Sequence, residues 1–302
     1  MLRRVKRMTS VVIVFMSLLV GCTNRTSSSE PIEPIAEYQK ERVTYHNAEI
    51  LLSGILWLPK NSGPHPALVI VDGSGRTTAE RMEASIRVFV DLGFACLSYN
   101  KRGVGDSGGK YLGGLDIDIP LLASDVVAGV DYLKTRGEVN SSLIGLLGQS
   151  QAGWIIPVAA AESEDVSFTV IFSGATVTLG EEDYYSRLTG DDPFWKFVYR
   201  NLTREEISRR LAEKGPSMFD PLPYLEKITV PGLWLYGELD RSQPTRESVA
   251  ILESLIQDHS KDFTYKVFEG ADHGIAIDGE LVEGVSKMMK DWLLAHVEVR
   301  TR

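Results

Sequence analysis

Residues 142–154 read SLIGLLGQSQAGW, and this stretch decides the fold. Residues 142–148 form an apolar run that reads as a β-strand, and residues 151–162 read as a helix. Between them lies Gly148-Gln149-Ser150-Gln151-Ala152-Gly153. A serine on so tight a strand-to-helix turn points its hydroxyl out of the end of the sheet. The turn is cramped, so its neighbours must be small. The helix that follows aims its N-terminus at the same point and favours negative charge developing there. The strict G-x-S-x-G pattern has glycine two residues after the serine; here Ala152 holds that place.

The same rhythm extends in both directions. Residues 42–58 are rich in β-branched and aromatic types and read as two strands joined near Asn47. ALVIVD (67–72) is a continuous apolar run, as expected of a strand buried on both faces, and it ends at Gly73-Ser74-Gly75. Helices are predicted over 78–92 and 118–136, with strands over 94–100 and 168–174. Strands alternating with helices argue for a mainly parallel α/β sheet. The rhythm breaks over 176–226, where no strand is predicted. That stretch holds Tyr184, Tyr185, Phe194, Trp195, Phe197, Tyr199, Phe219 and Tyr224, 8 of the 26 aromatic residues in 51 of 302 positions. It reads as a helical insertion over the sheet. Its rings either line a pocket for an apolar group or simply pack the insertion in place. The alternation resumes with a strand over 229–237, a helix over 244–258, a strand over 263–270 and a terminal helix over 280–297.

The composition agrees. With 43% hydrophobic and 24% charged residues, the chain can bury a large core, which excludes a disordered chain. Two cysteines, Cys22 and Cys96, cannot make a disulfide framework. A net charge of −9 argues against nucleic acid as a partner.

A serine hydroxyl is a poor nucleophile at neutral pH and needs a base. Of five histidines, His273 stands out, because Gly270-Ala271-Asp272-His273-Gly274 follows a predicted strand. Surface roles suit His46, His65, His259 and His296. The base needs an acid to fix its tautomer. Asp240, in YGELD (236–240), follows another predicted strand, with Glu238 as its rival. Asp272 adjoins the histidine but is expected to point away from its ring. Acyl transfer also requires donors for an oxyanion. The Gln151 amide supplies one, and the Asp72-Gly73-Ser74-Gly75 turn the other, through Ser74 first and Gly73 as the fallback.

Two literal pattern matches are set aside. Gly105-Asp106-Ser107-Gly108-Gly109 fits G-x-S-x-G, but a glycine-rich loop follows it rather than a helix. Gly103 to Gly108 also fits the dinucleotide fingerprint, with Asp125 at a tempting distance, but that fingerprint needs a helix to start at the glycines. This loop reads instead as a border of the site. No HExxH, CxxC or EF-hand pattern occurs, so neither a metal nor a cofactor is called for.

IVDGSGR (70–76), SYNKRGVGDSGG (98–109), GLLGQSQAGW (145–154), GELD (237–240) and GADHG (270–274) together resemble bacterial α/β-hydrolases. The likeness is to the esterase and serine-aminopeptidase-like group, near the dienelactone-hydrolase-like esterases. It covers nearly the whole chain after the leader. Many members carry His where this chain has Asp72, and Gly where it has Ala152. The resemblance implies an eight-stranded, mostly parallel sheet with a helical cap, and a triad of Ser150, Asp240 and His273. The expected chemistry is cleavage of a small-molecule carboxylic ester through an acyl-enzyme. Peptidase activity and ligand binding without turnover are the alternatives.

The amino terminus is an address. Arg3, Arg4, Lys6 and Arg7 precede the apolar run VVIVFMSLLV (11–20), which is too short to span a bilayer but fits a signal peptide. Leu19-Val20-Gly21-Cys22 resembles the bacterial lipobox, which implies cleavage before Cys22, lipid on its thiol and an exported, membrane-anchored protein. Residues 1–21 are thus expected to be leader, 22–40 tether, and 41–302 a hydrolase domain with its cap at about 176–226. Loss of the leader leaves 28 basic against 41 acidic residues, or −13. The acyl chains, not surface charge, would then hold the protein to lipid.

Overall fold

The computed structural model describes residues 38–114, 117–191, 195, 199 and 202–301. The leader, Cys22 and nearly all of the 22–40 tether lie outside the described residues. Strand β1 (Tyr38–Asn47) nevertheless begins inside the stretch read as tether. Its first residues are held: the Tyr38 hydroxyl donates to Glu83 at 2.6 Å, and Lys40 pairs with the same carboxylate at 3.0 Å.

From there the chain alternates. β2 (Ile50–Pro59) and β3 (His65–Val71) precede a short 3-10 turn, α1 (Glu83–Asp91) and β4 (Ala95–Tyr99). Then follow α2 (Ile119–Lys134), β5 (Val139–Gln149), α3 (Ala152–Glu162) and β6 (Val166–Phe172). Beyond β6 lie α4 (Leu179–Thr189), α5 (Arg204–Lys214) and the single turn α6 (Leu222–Leu225). The chain closes with β7 (Gly232–Gly237), α7 (Thr245–His259), β8 (Phe263–Phe268), the two-residue strands β9 (Ala276–Ile277) and β10 (Glu280–Leu281), and α8 (Val285–Thr301). The last helix starts five residues later than its sequence pattern suggests, because 280–281 pair with 276–277.

Strands β1 to β8 form one sheet in the order β1-β2-β4-β3-β5-β6-β7-β8. β1 and β2 are antiparallel, as are β2 and β4; every other pair is parallel. This is the eight-stranded, mostly parallel sheet that the resemblance implies. β3 shows why its sequence is a continuous apolar run. Ala67, Val69 and Val71 join the core under α2, α3 and α7, while Leu68 and Ile70 join the opposite core under α1 and α8. Each of the Val, Leu and Ile side chains contributes roughly 1.5–3 kcal/mol by leaving water. Cys96 is a fully buried residue of β4.

The helices between β6 and β7 carry their own start signals. Thr178 with Glu181, and Thr203 with Glu206, form reciprocal capping boxes at α4 and α5. Such caps contribute about 1 kcal/mol each. Leu188, Ile207 and Leu211 pack with Tyr184, Tyr185, Tyr199 and Leu202 into a small core of their own.

Candidate active site

The parallel strands β3, β5, β6, β7 and β8 point the same way, so the loops at their carboxyl ends gather along one edge, where open α/β sheets bind ligands. Ser150 follows β5 near the middle of the sheet. Its φ is +59°, a left-handed conformation that a serine adopts only under constraint from its surroundings. The constraint is visible. The Ser150 amide donates to the Phe172 carbonyl at 2.9 Å, and the Gly153 amide donates back to the Ser150 carbonyl at 2.8 Å. A Cβ at Gly148 would lie 2.4 Å from the Ala152 Cβ and 2.5 Å from the Val71 carbonyl oxygen. Alanine is therefore tolerated at 152 because position 148 is glycine.

His273 and Asp240 meet. The His273 Nδ1 lies 2.7 Å from Asp240 Oδ2. A carboxylate only accepts, so Nδ1 carries the proton and the lone pair falls on Nε2. The other Asp240 oxygen accepts from the Ser242 and Gln243 amides, both at 2.8 Å, which fixes the carboxylate in a buried turn. Burial works against an imidazolium at His273. The charge and hydrogen bond of Asp240, with Asp191 and Glu182 behind it, outweigh that effect and raise its pKa above the ordinary histidine value. The nucleophile loop reaches the histidine loop through Gln149, whose Nε2 donates to the His273 carbonyl at 3.2 Å. Among the described residues, no hydrogen bond joins the Ser150 hydroxyl to the ring.

The rivals have other work. Glu238 accepts from the Gly270 amide at 3.0 Å and pairs with Arg204. Asp272 accepts from the Gly274 and Ala276 amides and so turns away from the ring. Ser107 is buried; its hydroxyl accepts from the Ser53 amide at 2.9 Å and donates to the Asn100 carbonyl at 2.7 Å. Asp125 is held bidentately by Arg102 at 2.6 and 2.7 Å and by Asn47 at 2.7 Å, so it braces the loop rather than awaiting a ribose. His65 corrects the expectation of a surface histidine. It is 5% exposed at the start of β3, where its amide donates to the Glu138 carbonyl.

The candidate oxyanion donors flank the serine. Neither the Gln151 amide nor the Ser74 amide donates to another group among the described residues. Gly73 follows β3, which neighbours β5, so its turn stands next to Ser150. Sequence reasoning missed the two glutamines beside the serine as structural ties; polar side chains on an otherwise apolar strand end were the available signal.

Of the aromatic rings singled out between β6 and β7, Tyr185 reaches the site's framework, donating to the Asp240 carbonyl at 2.7 Å. Trp195 stacks on Tyr199 and Phe219 on Tyr224, each pair at 5.8 Å. These contacts pack the segment itself; Phe194 and Phe197 lie outside the described residues. Glu182 also faces the His273–Asp240 pair and accepts from Gln243 at 3.2 Å. Burial first, then the neighbouring Asp183, Asp240 and Asp191, push its carboxyl up to about 8, with His273 opposing. Among the described residues, no three His, Cys, Asp or Glu side chains gather as a metal site, and no helix is long and apolar enough to cross a membrane.

Residues 80–300 match the prolyl oligopeptidase family. The chain belongs to the prolyl oligopeptidase family. Its matched region starts at the 3-10 turn before α1 and takes in every strand from β4 to β10. An uncharacterised protein of Pseudomonas aeruginosa is 31% identical over 198 residues, 63% of this chain and 51% of its own. The esterase EstD of Thermotoga maritima is 24% identical over 270 residues, 82% of this chain and 63% of its own. The chain thus spans between about half and two thirds of the length of these two relatives. Among solved structures, an esterase of Pyrococcus furiosus superposes with a TM-score of 0.62 at 20% identity, covering 93% of this chain and 97% of its own. The fold is that of an α/β-hydrolase.

Proposed function

We propose that the protein is a serine hydrolase that cleaves small carboxylic esters. In this reading Ser150 attacks the acyl carbonyl, His273 Nε2 takes its proton, and Asp240 orients the ring and stabilises the imidazolium. The amides of Gln151 and Ser74 hold the oxyanion. His273 then returns its proton to the leaving alcohol, and water, activated by the same imidazole, releases the acid. The observation that carries the reading is the His273–Asp240 contact of 2.7 Å on the same sheet edge as a left-handed Ser150. The ester preference draws support from the relative EstD, whose name is that of an esterase. The family's own description favours a second reading, a peptidase.

A fluorophosphonate probe tests the nucleophile. Labelling is expected to vanish in Ser150→Ala and to persist in Ser107→Ala, and the reverse would overturn the assignment. Nitrophenyl esters set against aminoacyl anilides test the substrate class, where preferential anilide cleavage would replace the esterase reading with the peptidase one. We also propose export and lipid anchoring through Cys22, on the strength of the leader sequence. Mass analysis of the mature N-terminus tests this, and an unlipidated Cys22 refutes it.

A further inference from the structure

The loop that borders the site, N100-K-R-G-V-G-D-S-G-G109, carries two adjacent cations with opposite arrangements. Arg102 is fully matched by Asp125. Lys101 is 2% exposed, yet no carboxylate among the described residues forms an ion pair with it. Its Nζ instead donates to two neutral acceptors, the Gly73 carbonyl and, at 3.0 Å, Gln151 Oε1. A buried ammonium without a bonded counter-ion is costly, by several kcal/mol in typical cases. Features that break a local rule in this way concentrate where function demands them.

Both acceptors belong to the two candidate oxyanion loops. In a trans peptide the C=O and the following N–H lie in one plane and point in opposite directions. Holding the Gly73 carbonyl therefore aims the Ser74 amide the other way, away from Lys101. The Tyr111 hydroxyl, two residues beyond that loop, holds the next carbonyl, that of Ser74. Gripping the Gln151 side chain fixes the residue whose own amide is the second donor. We propose that Lys101 is the positioning residue of the oxyanion hole, tying the Ser74-bearing turn and Gln151 to one buried ammonium so that their amides converge.

This inference rests on the hydrolase reading above. It also has an electrostatic side. A cation hydrogen-bonded to the Gly73 carbonyl polarises that peptide and strengthens the Ser74 N–H as a donor. Burial draws the Lys101 pKa down, and the charge of Asp72, in the same turn, opposes the fall.

The test compares wild type with Lys101→Met and with Gln151→Leu, which cuts the side-chain tie but keeps the Gln151 amide. The substrate is a short nitrophenyl ester, and the inhibitor is a trifluoromethyl ketone that mimics the tetrahedral intermediate. For Lys101→Met, kcat is expected to fall about 10- to 100-fold, with the ketone's inhibition constant rising by the same factor. KM should stay within about twofold, because the lost interaction belongs to the transition state. Gln151→Leu should show the same pattern at smaller amplitude, and it carries the test if Lys101→Met does not fold. A fall in kcat with unchanged ketone affinity, or no fall in either folded variant, overturns the positioning role alone. A wild type that neither cleaves the ester nor binds the ketone overturns the hydrolase reading, and this role with it.

Discussion

A Cβ placed on Gly237 would lie 1.9 Å from the carbonyl oxygen of Asp272 and 2.6 Å from that of Ala271. The end of β7 and the histidine loop thus touch backbone to backbone. The Leu239 amide donates to the Ala271 carbonyl at 2.7 Å, and the Glu238 amide to the Phe268 carbonyl at 2.9 Å. This contact, more than either side chain, brings Asp240 within 2.7 Å of His273. Gly237→Ala must push the two loops apart. The expected result is a loss of about 10²-fold in kcat/KM, the usual penalty for misplacing a reacting group by an ångström. Overpacking should also cost roughly 1–3 kcal/mol in a urea melt. Unchanged activity would show that the contact does not set the pair.

Asp240→Asn removes the charge that keeps the His273 pKa raised. The base must be neutral to accept a proton, so wild-type kcat/KM should rise with pH through a midpoint above the ordinary value of 6.5. In Asp240→Asn the rate should fall by about 10⁴-fold. Burial, the opposing influence, is left in place, so the midpoint should move down. A pH–rate profile of both proteins decides, and a midpoint that stays or rises contradicts the assignment.

Glu182 makes stability depend on pH. Its carboxyl titrates near 4.5 when free and is pushed up to about 8 in the fold. A raised folded pKa means that the folded state holds a proton which the unfolded state has released. The stability it contributes is complete below pH 4.5 and is lost as pH rises to about 8. Glu182→Gln cannot ionise and escapes that loss. Its melting temperature should match wild type near pH 4 and exceed it above pH 8, and an equal difference at both pH values would refute the linkage.

Asp125→Ala leaves Arg102 buried without its partner. Breaking a buried pair of this kind costs about 3–5 kcal/mol, and a urea midpoint would measure it. If Asp125 only braces the loop, nicotinamide dinucleotides should bind neither the wild type nor the variant in a calorimetric titration. Measurable binding to the wild type would revive the fingerprint that the glycines spell.

Much of the sheet was legible because parallel strands covered on both faces must be apolar in their interiors, as residues 67–71 of β3 and 143–148 of β5 are. The turn at Ser150 was legible for a local reason as well: a strand, a helix and no room between them leave few residues that fit. The β9–β10 pair was not, since two-residue strands leave no period to read, and their pairing moved the start of α8. His65 read as a turn residue because nothing in its neighbours announces that its amide will pair with the carbonyl of Glu138, 73 positions later, at the start of a buried strand.

The amino-acid sequence by itself determined the alternation of strand and helix, the tight turn holding Ser150, and the order in which the candidate acid and base follow. Those are local matters, settled by apolar period, by caps such as Thr178 and by small residues at the turns. Only the tertiary structure decided which carboxylate the histidine meets, that Ser107 and Asp125 brace a loop, and that Trp195 stacks on Tyr199 and Phe219 on Tyr224 while Tyr185 reaches Asp240. It alone joined Lys101 to Gly73 and Gln151, 28 and 50 positions away. A hydrogen bond across such distances depends on strand order and loop approach, and a linear pattern carries neither.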